Sequence, residues 1–100
     1  MNKVMSIKKQ SMLMLNDFYG KSMTNFNYLS DNMNEFIQSL NLSNDNKNKE
    51  SFQKIYSMMS ETKSNFQSFY SSFSEFLKVN IISYQERRSR NIQINFNYNN

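Results

Sequence analysis

The chain has 100 residues, 38% of them hydrophobic, with a mean hydropathy of −0.76 and a formal net charge of +4. That suffices for one small domain at most and is lean for a self-sufficient globular core. Cysteine and histidine are absent, which excludes a disulfide framework and thiolate chemistry and removes the commonest metal ligand and general base, so we expect a non-enzymatic protein with no catalytic residues, metal or cofactor.

Proline is also absent and Gly20 is the single glycine, too little punctuation for the hairpins of an all-β fold. No apolar run approaches the roughly 18 residues needed to cross a bilayer, so no transmembrane segment is expected. Residues 1–16, MNKVMSIKKQSMLMLN, are basic and free of acids, a bias shared with organellar transit peptides. They contain no arginine and few small residues, and their second half reads as the entry to a helix.

From Met12 the chain steps by alternating intervals of three and four through Leu15, Tyr19, Ser22, Phe26, Leu29, Met33, Phe36 and Leu40. Only Ser22 breaks the apolar series, and this 3.5-residue repeat predicts a helix over about residues 6–40. Phe18, Met23 and Ile37 widen the stripe beyond that of a two-stranded zipper, which suits a bundle or an apolar surface. Asp31 and Glu35, an i, i+4 carboxylate pair, fall opposite the seam, where a catalytic or metal-binding role is not expected.

The stretch NLSNDNKNK, residues 41–49, is the most polar and turn-prone of the chain, and a loop is predicted over 41–48. Asn41 or Asn44 is placed to end the first helix in the left-handed conformation, and Asn48 to cap the next, with Glu50 in its first turn. Asp17 with Lys21, and Glu50 with Lys54, are correctly oriented i, i+4 ion pairs.

A second walk of the same kind runs through Phe52, Ile55, Met59, Thr62, Phe66, Phe69, Phe73 and Phe76, and predicts a helix over about residues 49–84. Tyr56, Tyr70 and Leu77 flank it. In its densest part, FQSFYSSFSEFL, the polar side consists of Ser68, Ser71, Ser72, Ser74 and Glu75. Serine is a mediocre helix former, so packing rather than propensity must hold this segment helical.

These elements predict an all-α fold: two long amphipathic helices in an antiparallel, coiled-coil-like hairpin forming a single domain over residues 1–90. Burial of the stripe within one hairpin only roughly offsets the ordering entropy, so oligomerisation into a bundle or adsorption to an apolar surface is expected to complete its stability. The expected contact residues are Tyr19, Phe26, Leu29, Met33, Phe36, Leu40, Phe52, Ile55, Met59, Phe66, Phe69, Phe73 and Phe76.

An antiparallel hairpin also gathers Lys8, Lys9, Lys78, Arg87, Arg88 and Arg90 into a basic pole opposite the asparagine-rich loop. Basic residues near a helix C-terminus complement its dipole, and the ERRSR cluster matches no nucleic-acid-binding motif, so nucleic acid is not an expected partner. The tail, NIQINFNYNN at 91–100, alternates apolar and amide residues and has no strand in this chain to pair with, and it reads as disordered.

The segments KKQSMLMLNDFYGKSMTNFNYLSDNMNEFIQSL and SFQKIYSMMSETKSNFQSFYSSFSEFLKV, joined by a short polar linker, resemble the phasins, proteins that coat polyhydroxyalkanoate granules in bacteria. Serine and asparagine stand here where phasins are rich in alanine, a substitution that an AT-rich genome would produce. The resemblance implies a helical, oligomerising, granule-associated cytoplasmic protein with no catalytic residue, whose phenylalanine stripe meets the granule or sister helices. The other readings are a coiled-coil or helical-bundle assembly subunit that binds only protein partners, and a small secreted helical hairpin, whose Trp-x-Gly turn this chain lacks.

Overall fold

A computed structural model describes the backbone of residues 3–99 and the side chains of residues 3–79. It contains two helices, α1 (Lys3–Leu42) and α2 (Asn46–Asn99), paired antiparallel as a hairpin. The pairing is read from contacts along its length: Phe36 meets Phe52 near the turn, Phe26 meets Phe66 midway, and Tyr19 meets Tyr70 further on. With 40 residues in α1 and 54 in α2, the second helix outruns the first. A helix of that length at about 1.5 Å per residue accounts for the 84 Å long axis of a body only 17 × 15 Å across.

The turn is tighter than the sequence predicts, spanning residues 43–45 rather than 41–48. Two local devices close it. Asn44 takes φ 58°, its N–H donates to the Asn41 carbonyl at 3.3 Å and the Asp45 N–H donates to the Leu40 carbonyl at 3.3 Å. This is a Schellman termination, with asparagine supplying the left-handed residue. Asp45 then caps α2: its Oδ1 accepts from the Asn48 N–H at 3.2 Å and its carbonyl from the Lys49 N–H at 3.0 Å. The N-cap is therefore Asp45 rather than Asn48, which sits at the third helical position and donates its amide to Asp45 Oδ2 at 2.7 Å. Residues 46–48, expected in the loop, form the first turn of α2.

At the far end α2 continues to Asn99, whereas the sequence reading ended it near residue 84 and left 91–100 as a disordered tail. Between Asn46 and Asn99 the chain holds neither proline nor glycine, so no local signal interrupts helical hydrogen bonding once it has started. On α1, the Asp17–Lys21 pair closes at 2.9 Å between side chains 64% and 75% exposed. At that exposure it adds a few tenths of a kcal/mol.

The hairpin buries little. Met5, Leu15, Met33 and Leu77 are its buried apolar side chains among those described, with relative exposures of 4–8%. The accessible surface is 7974 Å², against about 6,000 Å² for a compact monomer of this mass. The radius of gyration is 23.3 Å, where about 13 Å is usual for a globular chain of this length. Two layers of helix one hairpin wide cannot enclose a core, so much of the apolar stripe stays in contact with solvent.

Candidate functional site: an aromatic face beside the seam

The structure splits the predicted contact residues into two neighbouring columns. Met12, Leu15, Tyr19, Phe26, Met33 and Leu40 on α1, and Phe52, Met59 and Phe66 on α2, turn into the seam and are half-buried or buried. The alternate positions differ from the expected walk. Ser30 and Ile37 take the seam places expected of Leu29 and Phe36, and Tyr56, Lys63, Tyr70 and Leu77 take those expected of Ile55, Thr62, Phe69 and Phe76. A straight helix of 3.6 residues per turn drifts about 20° per heptad relative to a 3.5 repeat, so a stripe several heptads long cannot keep both its columns inward.

Seven of the apolar side chains turned out of the seam form one face. Phe18 (58% exposed), Leu29 (47%) and Phe36 (51%) line it on α1. Ile55 (55%), Phe69 (49%), Phe73 (36%) and Phe76 (59%) line it on α2. On both helices these residues lie on the same flank of the hairpin, as their i, i+3, i+4 and i+7 spacings require. Phe69, Ser72, Phe73 and Phe76 frame a shallow recess at one end of the face, and Ser22, Asn25, Phe26 and Leu29 frame another near its middle.

Phe66 joins seam and face. Its ring lies 5.6 Å from Phe18 edge-on, 5.6 Å from Tyr19 in a stack, 5.8 Å from Phe26 and 6.3 Å from Phe69. Phe69 in turn meets Phe73 edge-on at 5.8 Å. These separations match the offset and edge-to-face geometries that favour aromatic pairs. Phe18, Phe69 and, through Phe69, Phe73 are thus anchored by Phe66 to rings inside the seam, and Phe36 is anchored by Phe52 at 4.8 Å.

The opposite flank is polar. Asn27, Asp31, Ser60, Lys63, Ser64 and Gln67 line an open furrow there. Three rungs cross between the helices along the hairpin: Lys63 Nζ donates to Asn27 Oδ1 at 2.9 Å, Tyr70 OH donates to Asn16 Oδ1 at 2.7 Å, and Ser30 Oγ donates to Met59 Sδ at 3.7 Å. These rungs satisfy polar groups at the seam and fix the register, while leaving no apolar area on that side comparable with the aromatic face. Gly20 lies on the outside of α1, where an added Cβ would meet nothing within 4 Å.

The antiparallel pairing brings Lys8, Lys9 and Lys78 to the same end of the hairpin, with Lys9 and Lys78 exposed and Lys8 half-buried. Arg87, Arg88 and Arg90 belong to the α2 segment described by its backbone alone. Asp31 lies on the polar furrow and Glu35 is exposed. Among the described residues no group of three or more histidine, cysteine, aspartate or glutamate side chains is placed to hold a metal ion, and no helix is long and apolar enough to cross a membrane.

Sequence reasoning found the aromatic residues but not their division. The missed seam members Tyr56, Tyr70 and Leu77 stand one residue beyond Ile55, Phe69 and Phe76. Comparison with protein-family models, with curated proteins and with solved structures gives no match for the chain.

Proposed function

We propose that the chain is a non-enzymatic binding protein that works through its outward aromatic face, coating hydrophobic storage granules of the polyhydroxyalkanoate type in the cytoplasm, as the resemblance to phasins implies, and self-associating when no granule is present. The observation that carries this reading is the clustering of exposed large apolar side chains on one flank, with Leu13, Tyr28 and Leu42 exposed elsewhere. Seven of them share a flank two helices wide, over a polar opposite flank. Phenylalanine, leucine and isoleucine give such a face large contact area with few directional demands, which suits a disordered polymer surface better than a shaped ligand.

The test is co-sedimentation of the purified protein with polyhydroxyalkanoate granules, beside a globular control and the Phe69→Ser, Phe73→Ser variant. Saturable binding that the variant loses is expected. Wild-type protein that stays in the supernatant with the control removes the granule reading.

A further inference from the structure

The last part of α2 has no second helix beside it. Phe36 meets Phe52 and Tyr19 meets Tyr70, and on that register Lys3, where α1 begins, stands level with about residue 85 at equal rise on both helices. Among the described residues, 86–99 therefore run on past α1. The stretch divides in two. Residues 86–90, Glu-Arg-Arg-Ser-Arg, hold every arginine of the chain, and residues 91–99, NIQINFNYN, hold no charge.

Residues 91–99 carry a period that a helix cannot use. Ile92, Ile94, Phe96 and Tyr98 alternate with Asn91, Gln93, Asn95, Asn97 and Asn99. Residues two apart in a helix lie about 200° apart around its axis, so α2 sets the Ile92 and Phe96 positions almost opposite those of Ile94 and Tyr98. In a strand the apolar residues fall on one face and the amides on the other. Gln93 apart, these are weak helix formers, and isoleucine, phenylalanine and tyrosine favour strands. The helix runs through this segment because no proline or glycine stops it, and a helix end of such composition opens at little cost.

We infer that residues 91–99 form a self-pairing strand: copies of this chain join through them as a parallel, in-register β-sheet, the segment passing from helix to strand as it docks. This pairing is independent of granule binding and of the aromatic face. The pattern selects a second copy as the occupant. In register, an identical segment sets amide on amide and ring on ring, the ladders that stabilise cross-β stacks, and an uncharged segment stacks without like-charge repulsion. The edge of an unrelated sheet supplies main-chain bonds but not that match at every position.

The neighbouring sequence limits the sheet. In register, Arg87, Arg88 and Arg90 of successive copies would stand about 4.8 Å apart, so their repulsion ends the sheet at residue 90, as charges flanking an apolar strand do. The same segment, residues 86–90, spans about 17 Å if extended and separates each strand from a hairpin 17 × 15 Å across. That section exceeds the strand spacing, so successive hairpins fan out around the sheet. Residues 22–30 and 64–74 are also uncharged, but their apolar residues follow threes and fours. They lie in the paired part of the hairpin, with Phe26 against Phe66 at 5.8 Å, which withholds them from strand pairing.

The experiment uses the full chain at rising concentration in buffer free of granules, so that its failure and that of granule binding are separate results. Fibre diffraction with a meridional reflection at about 4.7 Å, together with hydrogen exchange slowed in residues 91–99 and unchanged in residues 3–79, is the expected result. Since the chain has no cysteine, a nitroxide at Asn99→Cys reads the register. Labels stacked about 4.8 Å apart give a single exchange-narrowed line.

Ile94→Lys with Phe96→Lys charges the apolar face of the strand and should raise the concentration at which assembly begins at least tenfold, with the helical circular dichroism of the hairpin retained. Ile55→Glu, which charges the exposed aromatic face instead, should leave assembly as it is. A chain that stays monomeric to about millimolar concentration, assemblies whose protected amides lie in residues 22–30 or 64–74, or labels without exchange narrowing would each overturn the inference. So would the double lysine variant assembling as readily as the wild type, or assembly lost with Ile55→Glu.

Discussion

Truncating Phe66 should separate what the seam contributes from what the exposed face contributes. Phe66→Ala removes ring contacts to Phe18, Tyr19 and Phe26 on the other helix, at centroid distances of 5.6–5.8 Å. A fully buried phenylalanine costs about 3–5 kcal/mol on truncation to alanine. Phe66 is half-buried, which roughly halves that figure to about 1.5–2.5 kcal/mol, its aromatic pairs included. The better helix propensity of alanine returns about 0.5 kcal/mol, leaving an expected loss of about 1–2 kcal/mol. Phe69→Ala is the control, since that ring is 49% exposed and its ring contacts, to Phe66 and Phe73, lie within α2. Helix-surface pairs of that kind add about 0.2–0.5 kcal/mol each, so its loss should be close to zero. The assay is urea unfolding followed by far-ultraviolet circular dichroism over a dilution series, so that self-association appears as the concentration-dependent part. If Phe66→Ala at the lowest concentration is no more destabilising than Phe69→Ala, the distinction between seam and face is wrong.

Two further outcomes probe local geometry. Gly20→Ala should stabilise the hairpin by about 1 kcal/mol, because the position is mid-helix and an added Cβ meets nothing within 4 Å; a destabilised variant in thermal unfolding would place Gly20 in a contact that the fold does not show. Asn44→Val should cost about 1–2 kcal/mol, since a β-branched residue is strained at φ 58°, whereas Asn44→Gly should match or exceed the wild type; equal urea midpoints for Val and Gly would show that the turn does not depend on the left-handed residue.

The hairpin itself was legible because two unbroken walks of threes and fours, separated by one polar stretch, have few other physical interpretations. Asn44 as the left-handed residue was legible for the same reason, being one of few candidates in a chain whose glycine lies elsewhere. Which column of the stripe turns inward was not legible. Ranking by apolarity selects Phe69 over Tyr70 and Thr62 over Lys63, yet Tyr70 and Lys63 occupy the seam because their polar ends reach Asn16 and Asn27 across it. A long amphipathic side chain lays its apolar body in a seam and its polar tip at the edge, and apolarity alone gives that ability no weight. The N-cap was missed by three residues because Asp45 and Asn48 are both good capping residues, and only the hydrogen bonds between them assign their roles.

Because the chain reverses within residues 43–45 by bonds that are all local to the turn, the length of the hairpin is decoupled from how it is closed. Seven residues inserted at matching levels of both helices would lengthen the outer face by about 10.5 Å and leave the turn as it is. Its reach is therefore an evolvable quantity, set by repeat number in the way a ruler is set by its divisions.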